Sequence, residues 1–243
     1  MISFIFSGII YISNKNLEVY TNIMVLTELQ VTQNKEKFIE LLKTHITRQG
    51  ANVEALIQKL ESSDFFEAPC STKYHLNCKG GLCQHSLNVY YKLKEFVKLY
   101  NLENVITEEM IAIVALLHDI SKMDYYKLCQ KPLKVYCEDG DKRDNGGKFK
   151  WETQEYYQVI DAEERFVFGH HGQNSLYLIE YYVPLMTEEA AAVNNHMGCV
   201  FDEYRPWDAT PIFNRYPLAS LLHMADFAAT YICENDRLIG QKG

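Results

Sequence analysis

The sequence lacks several things that would settle its class at once. It has no CxxC pair, and its seven cysteines (70, 78, 83, 129, 137, 199 and 233) are odd in number and scattered. That pattern excludes a disulfide framework or a zinc finger as the organising principle and is read as reduced, mostly buried thiols in a cytoplasmic protein. There is no basic excess: Lys and Arg total 24 against 32 Asp and Glu, a net charge of −8. Binding to long nucleic acid normally needs a basic face and is not expected, whereas a small anionic substrate is still accommodated by a local cation or a metal. No apolar run is long enough to cross a membrane. The opening "MISFIFSGIIYIS" falls short of the ~20 residues a span requires, and without a positive n-region or a small-residue cleavage site it is a poor signal peptide. Internal repeats, low-complexity tracts and linkers are absent too, as is any convincing Ser-His or Cys-His nucleophile pairing.

What is present is helical periodicity. Residues 34–50 carry Phe38, Leu41, Leu42 and Ile46 at helical spacing, with Gly50 placed to stop the helix. Val53, Leu56, Ile57 and Leu60 repeat the pattern, and 81–100 carry Leu82, Val89, Leu93, Phe96 and Tyr100. "TEEMIAIVALLHD" comes next, with Thr107 as N-cap and Glu108 and Glu109 at the positive helix end. It is apolar almost all round, which predicts the centre of the domain. Residues 126–168 break the rhythm and read as two short strands around a Gly-Gly turn, a β-hairpin inserted in a helical domain. Helices resume at "NSLYLIEYY" and at "TEEAAAVNNHMG", the second capped by Thr187 and stopped near Gly198. A Pro-bearing loop, "RPWDATPIFNRYP", then leads to a last helix. The expectation is an all-α fold: residues 1–30 as an extension outside the core, with 1–23 contributed by an upstream start, and one helical domain over 31–240 carrying the 126–168 insertion.

The chemistry is concentrated in histidines and carboxylates set among apolar residues. His118 and Asp119 come directly after Ile113, Val114, Leu116 and Leu117, and a buried carboxylate costs several kcal/mol unless it is paired or bound to a metal. Adjacent residues point about 100° apart on a helix, so the pair either reaches one ion near a helix end or addresses two; the bland alternative puts both in solvent beyond Leu117. His85 shares the buried stripe of the 81–100 helix. Asp226 continues the apolar stripe of Leu218 and Leu222, with His223 as a structural partner. His170 or His171, and His196 in the last turn of its helix, complete the set. Imidazole nitrogens and carboxylate oxygens without thiolate suit Mn, Fe, Mg or Zn. Two ions ~3.5–4 Å apart would clamp a phosphoester.

"GGLCQHSLNV", "LLHDISK" and "LLHMADFAAT" together resemble the HD-domain metal-dependent phosphohydrolase superfamily, whose signature is H…HD…D. The resemblance spans roughly residues 70–235. It implies that His85, His118, Asp119 and Asp226 hold a first divalent ion and that Asp119 bridges to a second, held by His171 and His196. "GHHGQNS" resembles the family's GHGxxS, which favours His171 over His170. Lys122 stands where members commonly carry a basic residue and would meet a substrate phosphate, the alternative being an ordinary helix-end lysine. Asp119 and Lys122 are therefore the expected catalytic residues.

The expected function is divalent-metal-dependent hydrolysis of a phosphomonoester or phosphodiester by metal-activated hydroxide. The substrate is expected to be a small phosphorylated molecule, a nucleotide or short oligonucleotide. Lys142, Arg143, Lys148, Lys150 and Trp151 of the hairpin, with Arg205 and Arg215, are candidate substrate contacts. A non-catalytic metal- or nucleotide-binding sensor and a 3′-to-5′ exonuclease are the alternatives; a purely helical interaction domain leaves Asp119 and Asp226 unexplained. The oligomeric state is left open.

Overall fold

A computed structural model describes residues 25–198 and 206–235. The expectations for residues 1–23 and for Arg205 lie outside them. Helix α1 (Glu28–His45) begins where Thr27 accepts a hydrogen bond from Gln30 N, so the expected boundary between residues 30 and 31 falls inside this helix. Leu26 and Val31 pack with Cys70, Leu76 and Cys78. Helices α2 (Val53–Ser62), α3 (Gly81–Leu99) and α4 (Glu108–Leu117) come next. Thr107 caps α4 as its sequence predicts, its side chain accepting from Met110 N at 3.2 Å. Every residue of α4 from Met110 to Leu117 is buried, so α4 forms the central rod, packed against α1, α3 and α6.

The insertion is larger than a hairpin. Strands β1 (Tyr126–Tyr136), β2 (Lys142–Asp144) and β3 (Gly147–Val159) form an antiparallel sheet in the order β1-β3-β2. Tyr126 pairs with Val159, and Tyr136 with Phe149. The tight turn is Asn145-Gly146, between β2 and β3, since Asp144 pairs with Gly147. Asn-Gly is the favoured pair for a two-residue hairpin turn. Both faces are largely in solvent, and Phe149 is the sheet's buried apolar residue. With eight helices and this three-stranded sheet among the described residues, the fold is mostly helical, and all-α is too narrow a description.

After the sheet come α5 (His171–Glu180), α6 (Thr187–Asn194), α7 (Pro206–Arg215) and α8 (Pro217–Ala228), the last running into a π-helical turn (Ala229–Cys233). Three local expectations change. The Pro-bearing segment is helical from Pro206. A proline in the first turn removes no needed N–H, and the burial of Ile212 and Phe213 against the core offsets the bond lost at Pro211. Met186, rather than Thr187, occupies the α6 N-cap. His196 lies beyond the end of α6 instead of in its last turn.

A candidate metal centre

Five segments bring their polar residues to one point inside the bundle. His85 projects from the second turn of α3, which starts close against residues 70–76: a Cβ on Gly81 would lie 2.1 Å from the Leu76 carbonyl oxygen. Helix α4 ends at Leu117, so His118 and Asp119 do fall past the helix end. They are nevertheless buried, with 0% and 3% of their surface exposed, because the 3-10 turn Ile120–Lys122 folds back beneath α5. Gly172, after His171, allows the start of α5 to cross the end of α6: a Cβ there would meet Asn194 O at 2.4 Å. That crossing places His171 beside His196, their ring centroids 5.2 Å apart. Asp226 comes from α8.

The imidazoles are oriented by their Nδ1 atoms and converge through Nε2. His118 and His196 each donate Nδ1–H to a carbonyl three residues earlier, Ala115 O at 2.8 Å and Val193 O at 2.7 Å. His171 Nδ1 lies 3.0 Å from Ser121 Oγ, which in turn accepts from Ser175 Oγ at 2.9 Å. His85 Nδ1 faces Glu234 at 3.0 Å. On the other side, His85 Nε2 is 3.2 Å from Asp226 Oδ1 and 3.9 Å from Asp119 Oδ2. His118 Nε2 lies 3.6 Å from Asp119 Oδ2, and His196 Nε2 lies 3.5 Å from Asp119 Oδ1. His171 Nε2 hydrogen-bonds Asp119 Oδ1 directly, and Lys122 Nζ pairs with Asp119 Oδ2 at 2.6 Å.

Electrostatics match this geometry. Burial opposes the charge on Asp119, but Lys122, His118 and His171 hold its pKa well below the usual carboxylate range. Burial likewise opposes the charge on Asp226, but His85 outweighs it and the Asp226 pKa is also lowered. His118 is pushed down to about 4 by burial, against the pull of Asp119, so its Nε2 carries a lone pair at neutral pH. For His85, burial is outweighed by Cys70, Glu234 and Asp226, and its pKa is raised well above the ordinary imidazole value. The same anions would favour a cation at Nε2 in place of a proton.

The residues fit a divalent ion. Two triads, His85–His118–Asp226 and His118–Asp119–His196, each have their donor atoms within 4.8 Å of one another. Bonds of ~2.0–2.2 Å to a common ion leave donors roughly 3–3.5 Å apart. His118 Nε2 and His196 Nε2 are buried without a hydrogen-bond partner, an arrangement native interiors rarely tolerate. Coordination would satisfy both. Nδ1 atoms held by carbonyl or carboxylate partners are the usual outer support of ligating histidines.

All six histidines and carboxylates expected as ligands thus meet at one point. His170 is the N-cap of α5, and it is His171 that enters the cluster. His223 does not pair with Asp226; its Nδ1–H donates to His196 O at 2.7 Å and its ring stacks on Phe213. Lys122 is tied to Asp119 rather than standing free at a helix end. The sheet cations lie apart: Lys142, Arg143 and Lys148 are exposed, and Lys150 pairs with Glu152 at 3.1 Å. Trp151 is half exposed, edge-on to Phe149. Arg215 is exposed over Tyr216.

Glu234 is a member of the site that sequence reasoning does not select. Its carboxylate is fully buried and also accepts from Asn88 Nδ2 at 2.8 Å. An α-helix returns to nearly the same face after seven residues. The π turn adds one residue, closing with Glu234 N bonded to Ala229 O, and so brings residue 234 back to the face of Asp226. An acidic residue eight positions beyond Asp226 is the available signal, but it points the right way only once the π turn is known. A further group, Cys70, His75 and His85, lies alongside, with Cys70 Sγ 3.2 Å from His75 Nε2.

No protein-family model matches the chain, and no curated protein or solved structure matches it. Among the described residues, no helix is long and apolar enough to cross a membrane.

Proposed function

We propose that the chain is a divalent-metal-dependent phosphohydrolase of HD type acting on a nucleotide-like phosphoester. The observation that carries this reading is the pair of buried, unpartnered Nε2 atoms of His118 and His196 facing the Asp119 carboxylate. The order His85, His118-Asp119, His171, His196, Asp226 along the chain supports it through its resemblance to the H…HD…D pattern.

When bound, divalent ions supply Lewis acidity to phosphoryl oxygens and acidify a water to a pKa near ~7. The chain's own residues do the rest. Asp119 presents Oδ1 toward His171 and His196 and Oδ2 toward His85 and His118, the disposition of a carboxylate shared between two positions. Asp226 and His85 close one side. Lys122 neutralises Asp119, and its ammonium would be free to meet a substrate phosphate where Asp119 holds an ion instead. The apolar wall of α4 excludes bulk water and strengthens each of these interactions.

The test is hydrolysis of bis-p-nitrophenyl phosphate with added Mn²⁺, together with metal analysis, for the native chain and Asp119→Ala. Activity and bound metal that both vanish in the variant support the reading. Equal activity in both contradicts it, and bound metal without hydrolysis of this diester or of p-nitrophenyl phosphate favours the sensor alternative.

A further inference from the structure

Beside the centre lies a cavity of about 330 Å³ lined by Ser121, Tyr125, Arg165, Phe166, His171 and Asn174, among others. His171 and Ser121 belong to the metal centre, so the cavity abuts its Asp119 side. The volume sits at the low end of ligand pockets, ~300–1,000 Å³, room for one nucleotide-sized unit.

Its walls are amphiphilic. Arg165 donates from Nη1 to Tyr125 Oη at 2.9 Å and lies with its guanidinium 5.4 Å from the Tyr125 ring centroid. Its Nε is buried and has no hydrogen-bond partner. A guanidinium offers five donors in a planar fork that suits phosphate, and the bond to Tyr125 uses one. Phe166 and Val167 on the cavity wall are exposed by 43% and 67%, and Phe168 next to them by 61%; the rings of Phe166 and Phe168 lean on Tyr177. The loop is pinned, because Asn174 Oδ1 accepts from the backbone N–H of both Phe168 and Gly169. Contiguous exposed apolar surface beside a polar centre marks a ligand contact, and a planar base is the part of a nucleotide that would cover it.

Resting on the function proposed above, we infer that this cavity is the substrate pocket, that Arg165 contacts the phosphate, and that the substrate is a single nucleotide carrying a phosphomonoester. The cations of the sheet then need play no part.

The experiment is titration of metal-loaded protein with AMP, GMP, CMP and UMP, and with a trinucleotide, alongside steady-state hydrolysis and metal analysis. Arg165→Met is expected to weaken binding of the preferred mononucleotide, and raise KM, at least tenfold with unchanged metal content; Arg165→Lys should recover part of the loss. Ala162→Trp, which fills the cavity from an exposed position on its wall, should weaken binding to a similar degree with unchanged metal content. Mononucleotide binding unaffected by both substitutions overturns the pocket even if hydrolysis stands, and tighter binding of the trinucleotide overturns the single-nucleotide assignment. Native protein that holds metal yet binds none of the four overturns the inference as a whole. A chain without metal contradicts the proposed function instead, while mononucleotide binding that still depends on Arg165 would uphold the pocket.

Discussion

Two polar clusters are buried in this bundle, and they are built in opposite ways. In the first, Arg48 grips Glu189 with two bonds of 2.6 Å. Glu189 also accepts from Met186 N at 2.8 Å, and Glu109 accepts from the backbone of Thr47 and Arg48. Charges and bonds close on themselves, tying the end of α1 to the start of α4 and to α6. In the second cluster, Asp119 is surrounded by four imidazoles, and two of them leave Nε2 buried and unpartnered. The first is a finished structural clasp. The second leaves two buried donors without a hydrogen-bond partner, and in that it differs from a closed buried ion pair.

Breaking each cluster should give a different signature. The largest effect is expected for Asp119→Ala: hydrolysis reduced by on the order of 10³-fold or more, as for loss of essential catalytic electrostatics, with metal content at background. Glu189→Ala should instead cost about 1.5–3 kcal/mol of stability, because it removes two charge-assisted bonds from a partly buried Arg48 that keeps Glu109 and Pro184 O as partners; urea denaturation measures this, and folded protein should keep its metal. The double substitution Arg48→Met, Glu189→Leu should recover most of that loss, since an apolar replacement of a buried pair is often neutral. Failure to recover it would mean the clasp does more than hold the helices. Next, Glu234→Gln should weaken metal affinity about 10–100-fold through loss of the carboxylate behind His85, measured by competition with a chromophoric chelator. The smallest effect is expected at a position outside both clusters: Thr107→Ala should cost about 1 kcal/mol through the lost α4 cap, with metal content unchanged.

How much of this is legible in the sequence depends on the range of each interaction. The helices α2, α3 and α4 are legible because periodicity and the Thr107 cap are local signals. The burial of His118 and Asp119 is not local: α4 ends at Leu117, and the two residues beyond it are covered by His85 of α3 and by the crossing of α5 and α6 that brings in His171 and His196. The metal-type cluster is legible as a set of residue types and a resemblance, whereas its geometry depends on five separate segments meeting. Glu234 escapes because a π turn changes the register by one residue. The α7 helix escapes because two prolines mask it, and tertiary burial of Ile212 and Phe213 outweighs the local penalty. The third strand escapes because β2 is three residues long and carries no apolar alternation of its own.

Uptake of an ion by Asp119, His118 and His196 is the property that would set the second cluster apart. The measurement is metal content, by mass spectrometry, of the native chain loaded with Mn²⁺, Fe²⁺ or Zn²⁺ and then desalted, beside His196→Ala and Glu189→Ala. The expected result is one or two ions per chain in the native protein, fewer in His196→Ala, and an unchanged number in folded Glu189→Ala. Folded native protein that retains none of the three, or a His196→Ala variant that retains as much as the native chain, would contradict it.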